Sequence, residues 1–493
     1  MNVVLISTYE LGRQPFGIAS PAAWLNEAGA SITCFDLAFQ KLDDTAIASA
    51  DLVAFYLPMH TATRIAAPLI KRVRQCNPNA HICCYGLYAP VNEKYLRALG
   101  AGTILGGEFE EGLVSLYKRV ESLRAPIGRE AISAQPMRDC FVAPAVLTAG
   151  APRNDNGQVE PLISLSRQKF LVPDRSGLPK LTKYAKLNWG DQQRKTGYTE
   201  ASRGCKHLCR HCPIVPVYGG QFRIVQRAIV LADIRQQVAL GARHITFGDP
   251  DFFNGPRHAI AIVEQLHDEF PDVTYDATIK IEHLLKHANL LPTLRDSGCA
   301  LVTSAVESVD NRILEIFDKH HTRKDFIHVV SLCRAAGLTL NPTFVTFNPW
   351  ISLEGYRDLL ALLIELNLVE HVAPIQLAIR LLIPAGSRLL ELPEVRQLVG
   401  AFDEAALCYP WAHPDPCVDQ LHVDVLNAVK AGEANGESRP AIFAKVWRLA
   451  CEACDMKVDW RVGSGVELLR QHGITSFALA SKPIPHLSEP WYC

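Results

Sequence analysis

Tyr198-Thr-Glu-Ala-Ser202-Arg-Gly-Cys205-Lys-His-Leu-Cys209-Arg-His-Cys212 is the stretch on which the reading of the chain turns. Residues 198–202 are a strand-like run, and three cysteines follow it in a CxxxCxxC pattern. One loop at a strand end therefore offers three thiolates within eight residues, enough to wrap a single soft metal centre. A four-iron cluster held by three thiolates keeps one iron without a protein ligand, and that iron can bind and polarise a substrate or cofactor. Spacing alone leaves two other readings open: a zinc site completed by His207 or His211, and three incidental thiols.

Downstream, strand-like runs recur at 243–249 (RHITFGD), 273–280 (VTYDATIK), 300–308 (ALVTSAVES), 339–347 (TLNPTFVTF) and 375–382 (IQLAIRLL). Helix-length amphipathic segments such as 258–270 and 323–336 lie between them. Six strands in this rhythm predict a complete or partial β/α barrel over 198–390, in preference to a second open sheet. The cysteine loop follows the first of them, at the end of the barrel where functional groups gather.

Upstream, 1–120 alternates continuous apolar runs with helical patterns: VVLIS at 3–7, SITCFDLA at 31–38, DLVAFYLP at 51–58, HICCYGL at 81–87 and TILGG at 103–107. Such runs predict an α/β domain with a doubly wound parallel sheet, Rossmann-like, covered on both faces. Ligands in that fold sit beyond the carboxyl ends of the strands, which singles out segments 9–17, 58–63, 86–92 and 106–111. Residues 121–197, with scattered Pro and Gly and no sustained periodicity, read as a linker. The remainder, 391–493, is a small mixed C-terminal region with helical segments around 393–407 and 441–453 and five cysteines.

Composition bounds the function. With 493 residues, 48% hydrophobic and 20% charged, the chain can bury several cores. Fifty Lys and Arg against 51 Asp and Glu give a net charge of −1, so the overall balance predicts neither a nucleic-acid nor an anionic-membrane partner. Fifteen cysteines in 493 residues are far below the roughly 8–10% of a disulfide scaffold. MNVVLISTYELG lacks the basic and apolar regions of a secretory signal, so a reducing cytoplasm is expected. The most apolar region, 359–383, is interrupted by Glu365, Glu370, His371 and Arg380 and predicts no membrane span.

The string SRGCKHLCRHC at 202–212 resembles the radical SAM enzymes, in the branch with an N-terminal cobalamin-binding-type domain. The resemblance implies that Cys205, Cys209 and Cys212 ligate three irons of a 4Fe-4S cluster whose free iron chelates S-adenosylmethionine (SAM). Reduction of the cluster would then cleave the sulfonium to methionine and a 5′-deoxyadenosyl radical that abstracts hydrogen. It further implies that the segment Phe247-Gly-Asp249-Pro-Asp251-Phe-Phe meets the methionine ammonium through a backbone edge or a carboxylate. Ser304-Ala-Val-Glu307-Ser308 would reach the ribose or the amino acid part. The plainer readings are a turn in which Asp251 caps a helix, and a strand-end surface carboxylate at Glu307. His211 stands where the family has an aromatic or apolar side chain near the adenine, and an imidazole can stack there. Arg380, inside an apolar run, is expected to meet an anion or a carboxylate.

In the first domain, Gly86-Leu-Tyr-Ala-Pro90 and Gly106-Gly107-Glu108-Phe109-Glu110 resemble the GGxH-like and GEGE-like segments of that branch. Bound cobalamin is implied, with Gly86, Gly106 and Gly107 letting the backbone approach it. The DxHxxG motif is absent: after the first strand the chain reads TYELGRQPFG, leaving Tyr9, Met59 or His60 as candidates near the lower face of the corrin. A retained fold with no corrinoid is the alternative.

Near the C-terminus, Cys451-Glu-Ala-Cys454 with Cys408 and Cys417 could hold an auxiliary cluster or zinc, or be buried structural cysteines. Ser488-Glu-Pro-Trp-Tyr-Cys493 resembles the tail of radical SAM proteins named for a CUAEP or CCAEP ending, in which a Cys is followed by selenocysteine or a second Cys. The expectation is a frame that stops at a selenocysteine codon, with Cys493 meeting a soft-atom substrate or donating hydrogen; a frayed terminus is the bland reading. The expected activity is functionalisation of a small-molecule substrate by cobalamin-dependent methyl transfer, with a reductant such as flavodoxin or ferredoxin. A cobalamin-independent rearrangement or transfer of another SAM-derived group, and a non-catalytic metal-binding or redox-sensing protein, stand beside it.

Overall fold

The structure is a computed structural model that describes residues 1–124, 162–455 and 484–488. It divides into two compact units, the first comprising Met1–Tyr9 and the described residues from Gly17 to Leu178, the second Glu10–Phe16 and the described residues from Pro179 onward.

The first unit is built on β1 (Asn2–Ser7), β2 (Ser31–Asp36), β3 (Leu52–Tyr56), β4 (His81–Tyr85), β5 (Thr103–Gly107) and β6 (Ile163–Ser164), in the order β2-β1-β3-β4-β5-β6. Every pairing is parallel. Successive side chains on a strand point to opposite faces, and here both faces are covered. Val4, Ile6, Val53, Phe55 and Ile82 enter one core with Ala66, Ile70 and Val73 of helix His60–Cys76. Val3, Leu5, Ala54, Cys83 and Tyr85 enter the other with Ile18, Leu25, Leu113 and Tyr117. The apolar runs of the sequence are continuous for this reason, and the doubly wound parallel sheet is the expected one. β6 was not expected, because its two residues sit in the aperiodic stretch read as a linker and pair only with Gly106 and Gly107.

The second unit contains β7 (Lys186–Trp189), β8 (Gln192–Thr199), β9 (Ser202–Gly204), β10 (Phe222–Ile224), β11 (His244–Phe247), β12 (Thr274–Thr278), β13 (Cys299–Glu307), β14 (Leu340–Phe344) and β15 (His486–Leu487). Its main sheet runs β14-β13-β12-β11-β8-β7-β15; the neighbours from β8 to β14 are parallel, whereas β7 pairs antiparallel with β8 and β15 with β7. β9 and β10 form a separate antiparallel pair. Among the described residues β14 and β15 are the free edges of the sheet, so the barrel is partial.

Two local expectations need correction. The first barrel strand begins at Gln192, not Tyr198, because its polar first half pairs with β7 as a hairpin and carries no apolar pattern. The run 375–382 is not a sixth ladder strand: Pro374–Leu377 is a 3₁₀ turn, and only Arg380 bridges, in parallel, to Phe347. Arg380 instead donates to Asp419 Oδ1 at 2.7 Å and to Trp411 O at 3.0 Å, with its guanidinium 3.7 Å from the centre of the Trp411 ring. The carboxylate expected for it is thus Asp419, on helix Pro416–Ala434, which packs on helix Arg439–Ala453. No helix among the described residues is long and apolar enough to cross a membrane.

Candidate functional site

The cysteine loop leaves the carboxyl end of β8 and is clamped by three other parts of the second unit. Gly204, with φ +74°, turns the chain into it; a methyl group there would lie 2.3 Å from Tyr218 Cδ1 and 2.6 Å from Gln221 O, so only glycine is accommodated. Asn254, after β11, accepts from Lys206 N at 3.2 Å and donates to Gly204 O at 3.3 Å, bracing both sides of Cys205. Arg210 donates to Glu315 O and Ile316 O, each at 3.0 Å, fastening the loop to the last turn of helix Asn311–Phe317. Arg388 donates to Leu208 O at 2.7 Å, and the Ser387 hydroxyl to Arg210 O at 3.2 Å. Asn254, Ser387 and Arg388 carry no motif and escape a sequence reading; only the fold brings them to the loop.

No described cysteine is in a disulfide, and Cys209 is buried. Burial pushes the Cys205 thiol up to about 11 and the Cys212 thiol up to about 12. Three soft donors held on one braced loop suit a metal centre, whose binding displaces the protons that burial favours on Cys205 and Cys212. Beside them, Lys319 is buried, and its ammonium is favoured chiefly by Glu307, then by Cys209 and Cys212, against the cost of burial.

Glu307 closes β13 at φ +67°, where the register against β14 shifts after Ala305. A bulge of this kind re-aims a side chain at a strand end. The Glu307 carboxylate receives His211 Nε2 at 3.2 Å and Lys319 Nζ at 3.3 Å, and against its burial these partners hold it down at about 2. His211 also packs on Phe317, ring centres 4.5 Å apart. On the same strand end Ser304 Oγ is buried with no hydrogen-bond partner, a polar atom ready for a ligand hydroxyl or carboxylate.

Asp249, after β11, uses both oxygens on the approach to the cysteine loop: Ser202 Oγ donates at 2.6 Å and Ala201 N at 2.9 Å. Burial nonetheless pushes its carboxyl up to about 7. Asp251 caps the turn Phe252–Asn254 by accepting from Phe253 N at 3.1 Å, while its Oδ2 faces His207 and His283. The backbone of 247–249 meets the end of β8, where Gly248 N donates to Thr199 O at 2.8 Å.

In the first unit the three glycines meet the chain's own atoms. A methyl group on Gly86 would lie 2.9 Å from Leu57 O, on Gly106 2.2 Å from Pro90 Cγ and on Gly107 2.1 Å from Ser164 O. β6 therefore already fills the side of β5 on which Gly107 lies. Buried polar atoms without partners do occur nearby: Ser7 Oγ at the end of β1, and Asn92 Oδ1 beyond β4. Glu110 accepts from Ser20 Oγ at 2.7 Å, and Gln168 Nε2 lies 3.3 Å from Glu110 Oε2 and 3.4 Å from Glu108 Oε2. Met59 precedes helix His60–Cys76, and the His60 ring stands edge-on to Tyr88 at 6.4 Å. The Ser7 hydroxyl and the acceptor Asn92 Oδ1 at this edge suit a large polar ligand, whereas Gly106 and Gly107 are accounted for by packing. Cys451 is buried and Cys417 exposed; Cys493 lies outside the described residues.

Residues 199–362 match the Radical SAM superfamily. No curated protein matches the chain. Among solved structures it is similar to the cobalamin-dependent S-adenosylmethionine radical enzyme OxsB with aqua-cobalamin and S-adenosylmethionine bound, at 12% identity and TM-score 0.64 over 95% of this chain and 78% of that one. It is also similar to the radical S-adenosylmethionine methyltransferase TsrM from Kitasatospora setae. The form with tryptophan substrate and a SAM analogue matches at 15% identity and TM-score 0.60, over 87% of this chain and 89% of that one. The form with cobalamin and a 4Fe-4S cluster matches at 18% identity and TM-score 0.52, over 74% and 70%. Residues 199–362 thus form a radical SAM domain, and the chain shares its fold with cobalamin-dependent radical SAM enzymes.

Proposed function

We propose that this chain is a radical SAM enzyme that functionalises a small-molecule substrate by cobalamin-dependent methyl transfer. The observation that carries the reading is the braced, three-thiol loop at the carboxyl end of β8, inside the matched domain. Cys205, Cys209 and Cys212 are the proposed ligands of a 4Fe-4S cluster, which when bound supplies the electron that cleaves the sulfonium of SAM. The remaining chemistry belongs to the chain. Asp249 holds the loop by Ala201 and Ser202, leaving the backbone of 247–249 for the methionine ammonium. Asp251 shares that strand end, and Glu307 and Ser304 offer polar atoms toward the ribose or amino acid part.

In the first unit, the carboxyl edge that carries Ser7 and Asn92 is the proposed cobalamin side, with Gly86, Gly106 and Gly107 lying along it. One observation favours a second reading, transfer of a SAM-derived group without corrinoid: β6 lies against Gly107 and Pro90 against Gly106. A cytoplasmic reductant of the flavodoxin or ferredoxin kind is the proposed partner. Grouping with the CUAEP/CCAEP proteins rests on sequence at 488–493 and gives Cys493 its proposed role, for which Cys493→Ser is the direct test.

Anaerobic reconstitution followed by iron, sulfide and corrinoid analysis tests the whole reading, with reductive SAM cleavage as the activity measured. Wild type should hold the cluster and release a SAM-derived product. Replacing the three cysteines by Ala should abolish both. Iron-free protein after reconstitution overturns the proposal, and a corrinoid-free but active enzyme shifts it to the second reading.

A further inference from the structure

Beside the cysteine loop, three buried side chains from three different elements converge. His207 comes from the loop itself, Asp251 from the turn after β11 and His283 from helix Ile281–Lys286. Their side chains are 9%, 2% and 1% exposed. Asp251 Oδ2 lies 3.4 Å from His207 Nε2 and 2.6 Å from His283 Nδ1, and the two rings are 4.7 Å apart. Yet His207 Nε2, His283 Nδ1 and Asp251 Oδ2 each lack an aligned hydrogen bond. Buried polar atoms are ordinarily satisfied, and three orphans that face one another call for a shared partner.

We propose that His207 Nε2, Asp251 Oδ2 and His283 Nδ1 bind a single divalent first-row cation, Zn²⁺ or Fe²⁺, as a mononuclear site distinct from the three-thiol centre. Two imidazoles and one carboxylate with open positions are the ligand set of catalytic zinc and of non-haem Fe²⁺ sites. Metal bonds of about 2.0–2.2 Å at tetrahedral angles place donor atoms about 3.3 Å apart, which the His207–Asp251 separation already matches and the His283–Asp251 pair reaches by opening under an ångström.

The surroundings supply the outer support that a metal-bound imidazole requires. Glu282 Oε2 lies 3.6 Å from His207 Nδ1, and Lys280 Nζ bridges the two, 3.1 Å from Nδ1 and 3.2 Å from Glu282 Oε2. With the cation on Nε2, the Nδ1 proton turns to Glu282 and Lys280 keeps that carboxylate. On the other side, the Cys205 sulfur lies within 4.8 Å of the His207 and Asp251 donors. A cation held there would therefore lie beside the cysteine loop and screen charge next to the cluster.

The test is zinc and iron analysis of the anaerobically reconstituted protein after dialysis against a slight excess of Zn²⁺, for wild type, His283→Ala and His283→Gln. Wild type is expected to retain one zinc per chain in addition to cluster iron and sulfide. Both variants should lose that zinc while keeping iron and sulfide, which separates this site from the cluster. No zinc on wild type, or undiminished zinc in both variants, overturns the proposal and leaves a hydrogen-bonded His–Asp–His group. If iron and sulfide are absent from every sample, the three-thiol reading fails, and the zinc comparison still decides this one. Should His283→Ala fail to fold, as judged by far-ultraviolet dichroism, His283→Gln carries the comparison.

Discussion

The Lys319 ammonium lies 3.3 Å from Glu307 Oε1, the oxygen that also receives His211. Glu307 is at φ +67°, and Lys319 is flanked by Asp318 at +58° and His320 at +56°. Non-glycine residues in the left-handed region cost about 1–3 kcal/mol each and persist where the surroundings over-determine them. Here three of them gather around one buried ion pair next to Cys209 and Cys212, which marks the pair as part of the site rather than a surface contact.

Removing one partner should therefore hurt more than removing both. Lys319→Met strands a buried carboxylate and is expected to cost about 3–5 kcal/mol in denaturant unfolding. The double variant Lys319→Met with Glu307→Gln should recover a large part of that loss. Strictly additive losses in a double-mutant cycle would contradict the pairing.

Asp249 predicts an inverse pH effect. Its folded-state carboxyl is raised from the ordinary 3.8 to about 7, so between those values the folded chain holds a proton that the unfolded chain has released. Its contribution to stability should accordingly fall as pH rises from about 4 through about 7. Asp249→Asn removes this slope, and comparing unfolding midpoints of the two proteins across that window checks it. An identical pH dependence for both would remove Asp249 from the account.

Gly204→Ala tests the entry to the cysteine loop. The added methyl meets the Tyr218 ring and Gln221 O, and the residue must also hold φ +74°. Backbone contacts cannot yield as a flexible side chain does, so the loop should shift. We expect iron per chain after reconstitution to fall below wild type, the cluster-binding equilibrium weakening about tenfold for each ~1.4 kcal/mol of strain. Full iron content in the variant would show that the loop tolerates the methyl group.

Much of this was legible in the sequence because the relevant signals are local. CxxxCxxC is contiguous, and strands buried on both faces, such as Leu52–Tyr56, announce themselves as apolar runs. What failed was where partners are distant. Gln192–Lys195 looks polar because it pairs in a hairpin with Lys186–Trp189. Residues 375–382 look like a strand but follow Pro374 into a turn, and Arg380 is drawn to Asp419 and Trp411. Asp249 and Asp251 were visible as carboxylates, but their commitment to Ser202 and to two histidines is a tertiary fact. The convergence of His207 with His283, 76 positions apart by subtraction of their numbers, leaves no trace in spacing.

Asn254 offers the last test, since it holds the loop without touching the proposed cluster ligands through more than a long contact. Its amide serves Lys206 N and Gly204 O at once, on either side of Cys205. Asn254→Ala leaves a backbone donor and an acceptor unmatched in a part-buried place, at about 1–3 kcal/mol for each. The fold should survive, because neither bond belongs to the main sheet, but the Cys205 side of the loop loses its brace. Iron release to a chelator should consequently be faster than in wild type by about tenfold for each 1.4 kcal/mol of lost support, at unchanged far-ultraviolet dichroism. Equal release rates would mean that the clamps from Arg210 and Arg388 suffice, and that Asn254 is a bystander.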